Sequence, residues 1–310
     1  MGHYMTYLWQ KANWPSFNWS SSALFDLLVK ARFEQGGLLS MASSFVHSYE
    51  ISENKAPLYK DLQNINLNAE RLHGWQASLY PTGYSGVKKI KIAAFRSKDL
   101  TKLSLSHLRL NEELQKFLNW WSEPPVELDP VLRSALAFFW FLLISPYEDG
   151  NYDLACALSE LALQEQEKTS ARTYDISLQL FENSDEVWKK LEHAAHGSGD
   201  LTEWLVYYLE LYLVAIRSAH AIADKNQSVD LFWKKLSTLD LNVRQRKVLN
   251  VMFDGQTTMT NREYVEICKT SRESAKRDLV ELVTLGVLNL GEKKGRSASY
   301  WLETTYTFYR

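Results

Sequence analysis

The chain is poor in cysteine, with two in 310 residues, Cys156 and Cys268, lying far apart. That excludes a disulfide framework, and the expected setting is a reducing, intracellular one. Long apolar runs are also missing. The longest, Ala135–Ile144, has ten residues, about half of what a bilayer span needs. It reads as a buried core helix, and no membrane partner is expected. The opening from Met1 to Trp9 lacks a basic stretch followed by an apolar one, so no signal peptide is expected. The protein reads as cytoplasmic. Neither sign of charge dominates: 35 Lys+Arg against 37 Asp+Glu give a net −2, which alone points to neither nucleic acid nor membrane. No repeat is visible. With 45% hydrophobic and 23% charged residues, the disordered, collagen-like and low-complexity classes are excluded. A chain of this length buries a core without a disulfide or metal staple.

The charge is unevenly spread. Residues 238–310 hold twelve basic and nine acidic side chains, and the rest of the chain carries a balance of −5. A mildly basic tail on an acidic body is a weak pointer to a nucleic-acid module.

The first stretch alternates aromatic and small residues (Tyr7, Trp9, Trp14, Phe17, Trp19) and reads as a packed arm. Ser20–Ser22 offer caps for a helix with apolar positions at Leu24, Leu27, Leu28, Ala31, Leu38 and Leu39. Residues 52–68 carry Pro57 and read as a connector. Leu72–Tyr80 is amphipathic, Pro81–Gly86 is a loop, and Val87–Phe95 reads as a short strand. Helices are then expected over Leu105–Trp121, from a cap at Asp129 with Pro130 first to Ser145-Pro146, over Asp153–Glu167, Glu182–Ala195 and Thr202–Asp224.

The character changes after about Val229. Asn242–Phe253, Thr260–Cys268 and Thr270–Leu285 read as three helices. Thr270 and Glu273 form a capping-box pattern at the third. Along it Ala275, Leu279, Leu282 and Val283 make one buried stripe, which leaves Arg272, Lys276 and Arg277 pointing outward. Gly286 stops it. Val287–Leu290 and Ser299–Leu302 read as strands flanking the turn-rich, basic segment Gly291–Arg296. Three helices and a basic wing describe a winged helix-turn-helix. In that arrangement Arg272, Ser274, Lys276 and Arg277 suit base edges, and Lys293, Lys294 and Arg296 suit phosphates. Glu273, Asp278 and Glu281 dilute the charge of the same helix.

The loop Ser145-Pro146-Tyr147-Glu148-Asp149-Gly150-Asn151-Tyr152-Asp153-Leu154-Ala155-Cys156 resembles the Fic motif, His-Pro-Phe-x-Asp/Glu-Gly-Asn-Gly-Arg-x-x-Arg. The arm at Leu8–Trp19 and the segment Leu72–Gly86 resemble the accessory region that precedes Fic in one bacterial subgroup. The segments Leu241–Arg246 and Gly295–Tyr300 resemble that subgroup's winged helix. The resemblance runs through nearly the whole chain. It implies a mostly α protein: residues 1–100 an accessory segment, 101–228 a Fic-like helical domain, and 229–310 a winged helix-turn-helix with a small β-wing.

For activity the same resemblance argues the other way. Family members transfer a nucleotide monophosphate to a hydroxyl, with the motif His as general base. Ser145 stands in that place. Asp153 replaces the first phosphate-binding Arg and Cys156 the last, so a cationic clamp is lost. Tyr152 fills the second glycine position. Asp149, Gly150 and Asn151 remain. An inhibitory Ser/Thr-x-x-x-Glu helix has no convincing copy between Ser44 and Leu72, and the target-aligning flap looks truncated between Arg96 and Leu105. No catalytic residue, cofactor or metal is expected.

Other candidates are weaker. Ser145 reads as a helix-end serine, with His73 and His107 as possible neighbours, and Cys156 as a buried helical cysteine. His193-x-x-His196 lacks further ligands for a metal. Trp204, Tyr207, Tyr208, Leu211 and Tyr212 sit at helical spacing and read as core or interface. The expected function is non-enzymatic: binding of double-stranded DNA by a homodimeric transcriptional regulator. The alternatives are a pseudoenzyme that holds a partner protein in the former target cleft, and a nucleotide sensor retaining Asp149 and Asn151.

Overall fold

The computed structural model describes residues 7–41, 67–79, 107–147, 150–167, 173–291 and 298–303. The chain divides into two compact units, Met1–Ala221 and Ile222–Arg310.

In the first unit the N-terminal arm enters through one 3-10 turn, Leu8–Gln10. It then forms a parallel bridge between Asn18 and Asp200. The Asn18 amide donates to the Gly199 carbonyl at 3.0 Å, and its own carbonyl accepts from Leu201 at 2.8 Å. Phe17 sets its edge against Phe139 and Trp140, so the arm is packed, as its aromatic spacing predicts.

Helix α1 (Ser21–Ser40) is capped by Ser20, and α2 (Ala69–Ser78) by Asn68. After α3 (His107–Ser122) comes α4 (Pro130–Ile144), whose first turn follows a local rule. The Asp129 carboxylate accepts the Val131 amide at 2.8 Å, and Pro130 occupies the first position, where a missing N–H costs nothing. Every residue from Ser134 to Ile144 is buried. A helix apolar on all sides must be surrounded by protein, and α4 is the axis of this unit. Along it packs α5 (Asn151–Glu167).

Two shorter helices follow, α6 (Ile176–Glu182) and α7 (Ser184–Ala195). The helix expected over Glu182–Ala195 is α7, which starts two residues later, whereas α6 was not foreseen and is separated from it by a break. The break is at Asn183, which leaves the helical region at φ −105° and ψ 21° and donates its side-chain amide to the Gln179 carbonyl at 2.8 Å. Competition of this kind for backbone groups is what makes asparagine a poor interior residue.

Helix α8 (Thr202–Lys235) runs past its expected end at Asp224. By length and composition it could cross a bilayer, but half of its most apolar stretch is buried in the protein. Trp204, Tyr208, Leu211 and Tyr212 lie in the core of the first unit, as their spacing suggested. A fully buried polar node joins α4, α5 and α8: the Tyr208 hydroxyl lies 2.6 Å from the Ser134 hydroxyl, which donates to the Ser159 carbonyl at 2.6 Å. Burial holds the Tyr208 phenol above its ordinary range, so it remains a neutral partner.

The second unit contains α9 (Val243–Phe253), β1 (Met259–Thr260), α10 (Asn261–Cys268), α11 (Arg272–Thr284), β2 (Leu288–Leu290) and β3 (Ser299–Leu302). The sheet order is β1-β3-β2, antiparallel throughout, with Met259 opposite Tyr300 and Leu288 opposite Leu302. Val248, Leu249, Met252, Tyr264, Leu279 and Leu282 meet Val287, Tyr300 and Leu302 in one core. Capping boxes start α9 (Asn242 with Gln245) and α10 (Thr260 with Glu263). At α11 the cap is Ser271, which accepts the Ser274 amide at 3.1 Å, so the Thr270–Glu273 pattern is one residue out of register. Gly286, at φ +70°, ends α11 in the left-handed conformation that favours glycine. Three helices and a three-stranded antiparallel sheet make a winged helix-turn-helix.

Candidate nucleic-acid interface

The turn between α10 and α11 is three residues, Lys269–Ser271, within the usual length for this motif. It opens with Lys269 in the left-handed region at φ +48°, a place usually taken by glycine. The Asn261 side-chain amide donates to the Arg272 carbonyl at 3.0 Å, tying the start of α10 to the start of α11.

Asp278 fixes the three helices from inside. It is buried and receives Arg244 of α9 at 2.8 and 3.1 Å, the Tyr264 hydroxyl of α10 at 2.9 Å, and Asn242 at 3.1 Å. Burial alone would raise this carboxyl, but the bonds from Arg244, Tyr264 and Asn242 hold it below its ordinary value. Burial and the same contact hold the Tyr264 phenol high. Asp278 is therefore an internal anchor, not one of the acids that dilute the outer face of α11.

That outer face presents Arg272, Lys276 and Arg277, all exposed. Among the described residues their side chains make no hydrogen bond or ion pair. Ser274 is half-buried, and its hydroxyl accepts from that of Ser271 at 3.1 Å, so it is already committed to the cap. Val280 stands on the same face, 49% exposed. Lys269, exposed at the turn, adds a cation that helical periodicity could not reveal, because it belongs to no helix. Lys293, Lys294 and Arg296 lie outside the described residues.

The loop joining α4 to α5 carries the motif-like residues. Ser145 ends α4 in the left-handed region at φ +41°. Its amide donates to the Phe141 carbonyl at 2.8 Å, and its buried hydroxyl donates to the Leu142 carbonyl at 2.6 Å. Asn151 closes the loop on itself: its side chain accepts from the Tyr147 amide at 3.0 Å and donates to the Tyr147 carbonyl at 2.7 Å. The Tyr147 hydroxyl lies 2.9 Å from His73 Nδ1 on α2, so His73 partners the tyrosine. Burial raises that phenol above its ordinary range. Gly150 takes φ +81°, which a side chain would strain. Tyr152 folds away, donating to the Leu180 carbonyl at 2.6 Å and packing on Phe138 and Trp188. Asp153 is half-buried in the first turn of α5, and Cys156 is buried. Asp149, the side chain of His107, and the segments expected to hold the inhibitory helix and the flap lie outside the described residues.

His193 lies 3.8 Å from Glu203, whereas the ring of His196 packs on Tyr7 with centroids 4.2 Å apart. The two imidazoles do not converge. Among the described residues no three His, Cys, Asp or Glu side chains are grouped to hold a metal.

Residues 7–65 match a family described as a domain of unknown function, DUF4172. No curated protein matches the chain in sequence. Among solved structures, a Fic family protein from Desulfovibrio desulfuricans G20 is similar, with a TM-score of 0.52 and 11% identity. The likeness covers 96% of this chain and 99% of that one. At such low identity the likeness speaks for the fold alone. The chain thus has a Fic-like, mostly helical fold followed by a winged helix-turn-helix.

Proposed function

We propose that this protein is a non-enzymatic, Fic-like protein that binds double-stranded DNA through its winged helix-turn-helix and acts as a transcriptional regulator. The reading is carried by the outer face of α11. Arg272, Lys276 and Arg277 stand there without protein partners among the described residues, while Asp278 is turned inward and neutralised by Arg244. A recognition helix needs cations of this kind at its N-terminal half, where base edges and phosphates come within reach.

The loop between α4 and α5 supports the non-enzymatic half of the reading. A base must be able to accept a proton near neutral pH. The Ser145 hydroxyl is instead spent on the end of its own helix, and Asn151 on the loop. Where the resemblance would place a phosphate-binding arginine, Asp153 would repel the same anion.

Selection of genomic fragments with the purified full chain tests the DNA half. One enriched palindromic site, lost on joint Arg272→Ala and Arg277→Ala substitution, is the expected result; sequence-blind binding or none would overturn it. Incubation with labelled ATP tests the other half, because transfer of nucleotide to the protein itself or to a lysate would show an active enzyme.

A further inference from the structure

Glu273 takes no part in the cap of its own helix. With Ser271 as the cap, Glu273 is the second helical residue, so it does not close the box that Thr270 would have opened. It is exposed and, among the described residues, makes no hydrogen bond or ion pair. Arg277 nevertheless lies four residues on, at the spacing of a helical ion pair. At 3.6 residues per turn the buried stripe of α11 (Ala275, Asp278, Leu279 and Leu282) has one mean direction, and Glu273 points opposite to it within roughly 10°. Arg272 and Lys276 lie to one side of that line and Arg277 to the other. The acid therefore stands at the apex of the outer face, in the first turn, with cations on both flanks.

An acid at that place has a narrow choice of partner. Phosphates repel it, and the cations beside it suit them instead. Base edges come within reach of the N-terminal residues of a recognition helix, where Glu273 sits. In the major groove guanine offers the acceptors O6 and N7, and thymine an acceptor and a methyl group. Adenine sets its N6 donor next to the N7 acceptor, which a carboxylate meets with repulsion. Cytosine alone presents a donor, its N4 amino group, with no acceptor of its own.

We propose that Glu273 is a specificity-determining residue, whose carboxylate accepts the N4 amino hydrogen of a cytosine, so that the bound sequence carries a C·G pair at a fixed position. The inference rests on the DNA-binding reading above and adds a base that α11 reads. Selection from randomised duplexes with the full chain, followed by competition among duplexes that differ only at that pair, tests it. Wild type should prefer cytosine there roughly five- to thirtyfold over each alternative. Glu273→Gln keeps the shape and removes the charge, so it should lose that preference and bind unrelated duplex more tightly. Glu273→Ala should lose the preference as well. Exposed substitutions of this kind hardly move stability, so both melting points should match wild type. A glutamate that only favoured the start of its helix would, on removal, weaken binding to every sequence alike. An enriched site without such a C·G pair, or one whose preference for cytosine survives both substitutions, overturns the inference and leaves DNA binding standing. No binding by wild type to any duplex overturns the DNA-binding reading, and this inference with it.

Discussion

Asp278 shows how a residue can be misread when its charge outweighs its position. Its charge set it among the acids that dilute the outer face of α11, although its position, three residues after Ala275 and four before Leu282, is on the buried stripe. The structure follows the period, because Arg244, Tyr264 and Asn242 supply the partners that a buried carboxylate needs. Asp278→Ala should destabilise the second unit by roughly 2–3 kcal/mol. That is below the figure for a fully buried pair, since the Arg244 side chain is 39% exposed. Chemical denaturation followed by tryptophan fluorescence measures it. The sign with pH follows from the lowered carboxyl. The Asp278 contribution is fully present above the ordinary value of 3.8 and is lost as pH falls through its lowered value. The variant should therefore lack that acid-side loss. Glu167 behaves oppositely. Burial raises its carboxyl, against the bonds from Tyr174 and Gln35. The fold therefore favours the protonated acid, and stability declines as pH rises from 4.5 through the raised value. Glu167→Gln keeps an oxygen for both donors, and it should melt higher than wild type at neutral pH. An unchanged or lower melting point would count against this assignment.

Elements whose signals are local were readable in advance. Asn242 and Thr260 start α9 and α10 because each has a glutamine or glutamate three residues on to complete the box. Pro130 after Asp129 and the Gly286 stop worked for similar reasons. The strand β1 was not foreseen, since Met259–Thr260 is two residues long and exists through pairing with distant Ser299 and Tyr300. The start of α11 was missed by one residue because Lys269 takes a left-handed conformation that no turn residue announces. This position yields a prediction that separates folding from binding. Lys269→Gly relieves the conformation and removes an exposed cation, so stability should hold or rise by about 0.5–1 kcal/mol while DNA affinity falls. A loss of stability would mean that the lysine side chain packs.

For the molecule as a whole, hydrophobic spacing revealed a helical body and a winged helix, and the fold agrees with a solved Fic family protein along nearly its full length. The candidate site was legible in part. Arg272, Lys276 and Arg277 were correctly placed outside by the stripe they flank, whereas the fate of the Ser145 and Asn151 side chains depended on backbone geometry that spacing does not encode. The most direct measurement of the central claim is the affinity of the full chain for a labelled duplex as salt is raised. With about four phosphates neutralised, the log–log slope should lie near −3.6. The Arg272→Ala and Arg277→Ala pair should abolish binding without lowering the melting point. Binding that ignores both salt and these substitutions, or no binding in low salt, would contradict a DNA-binding role.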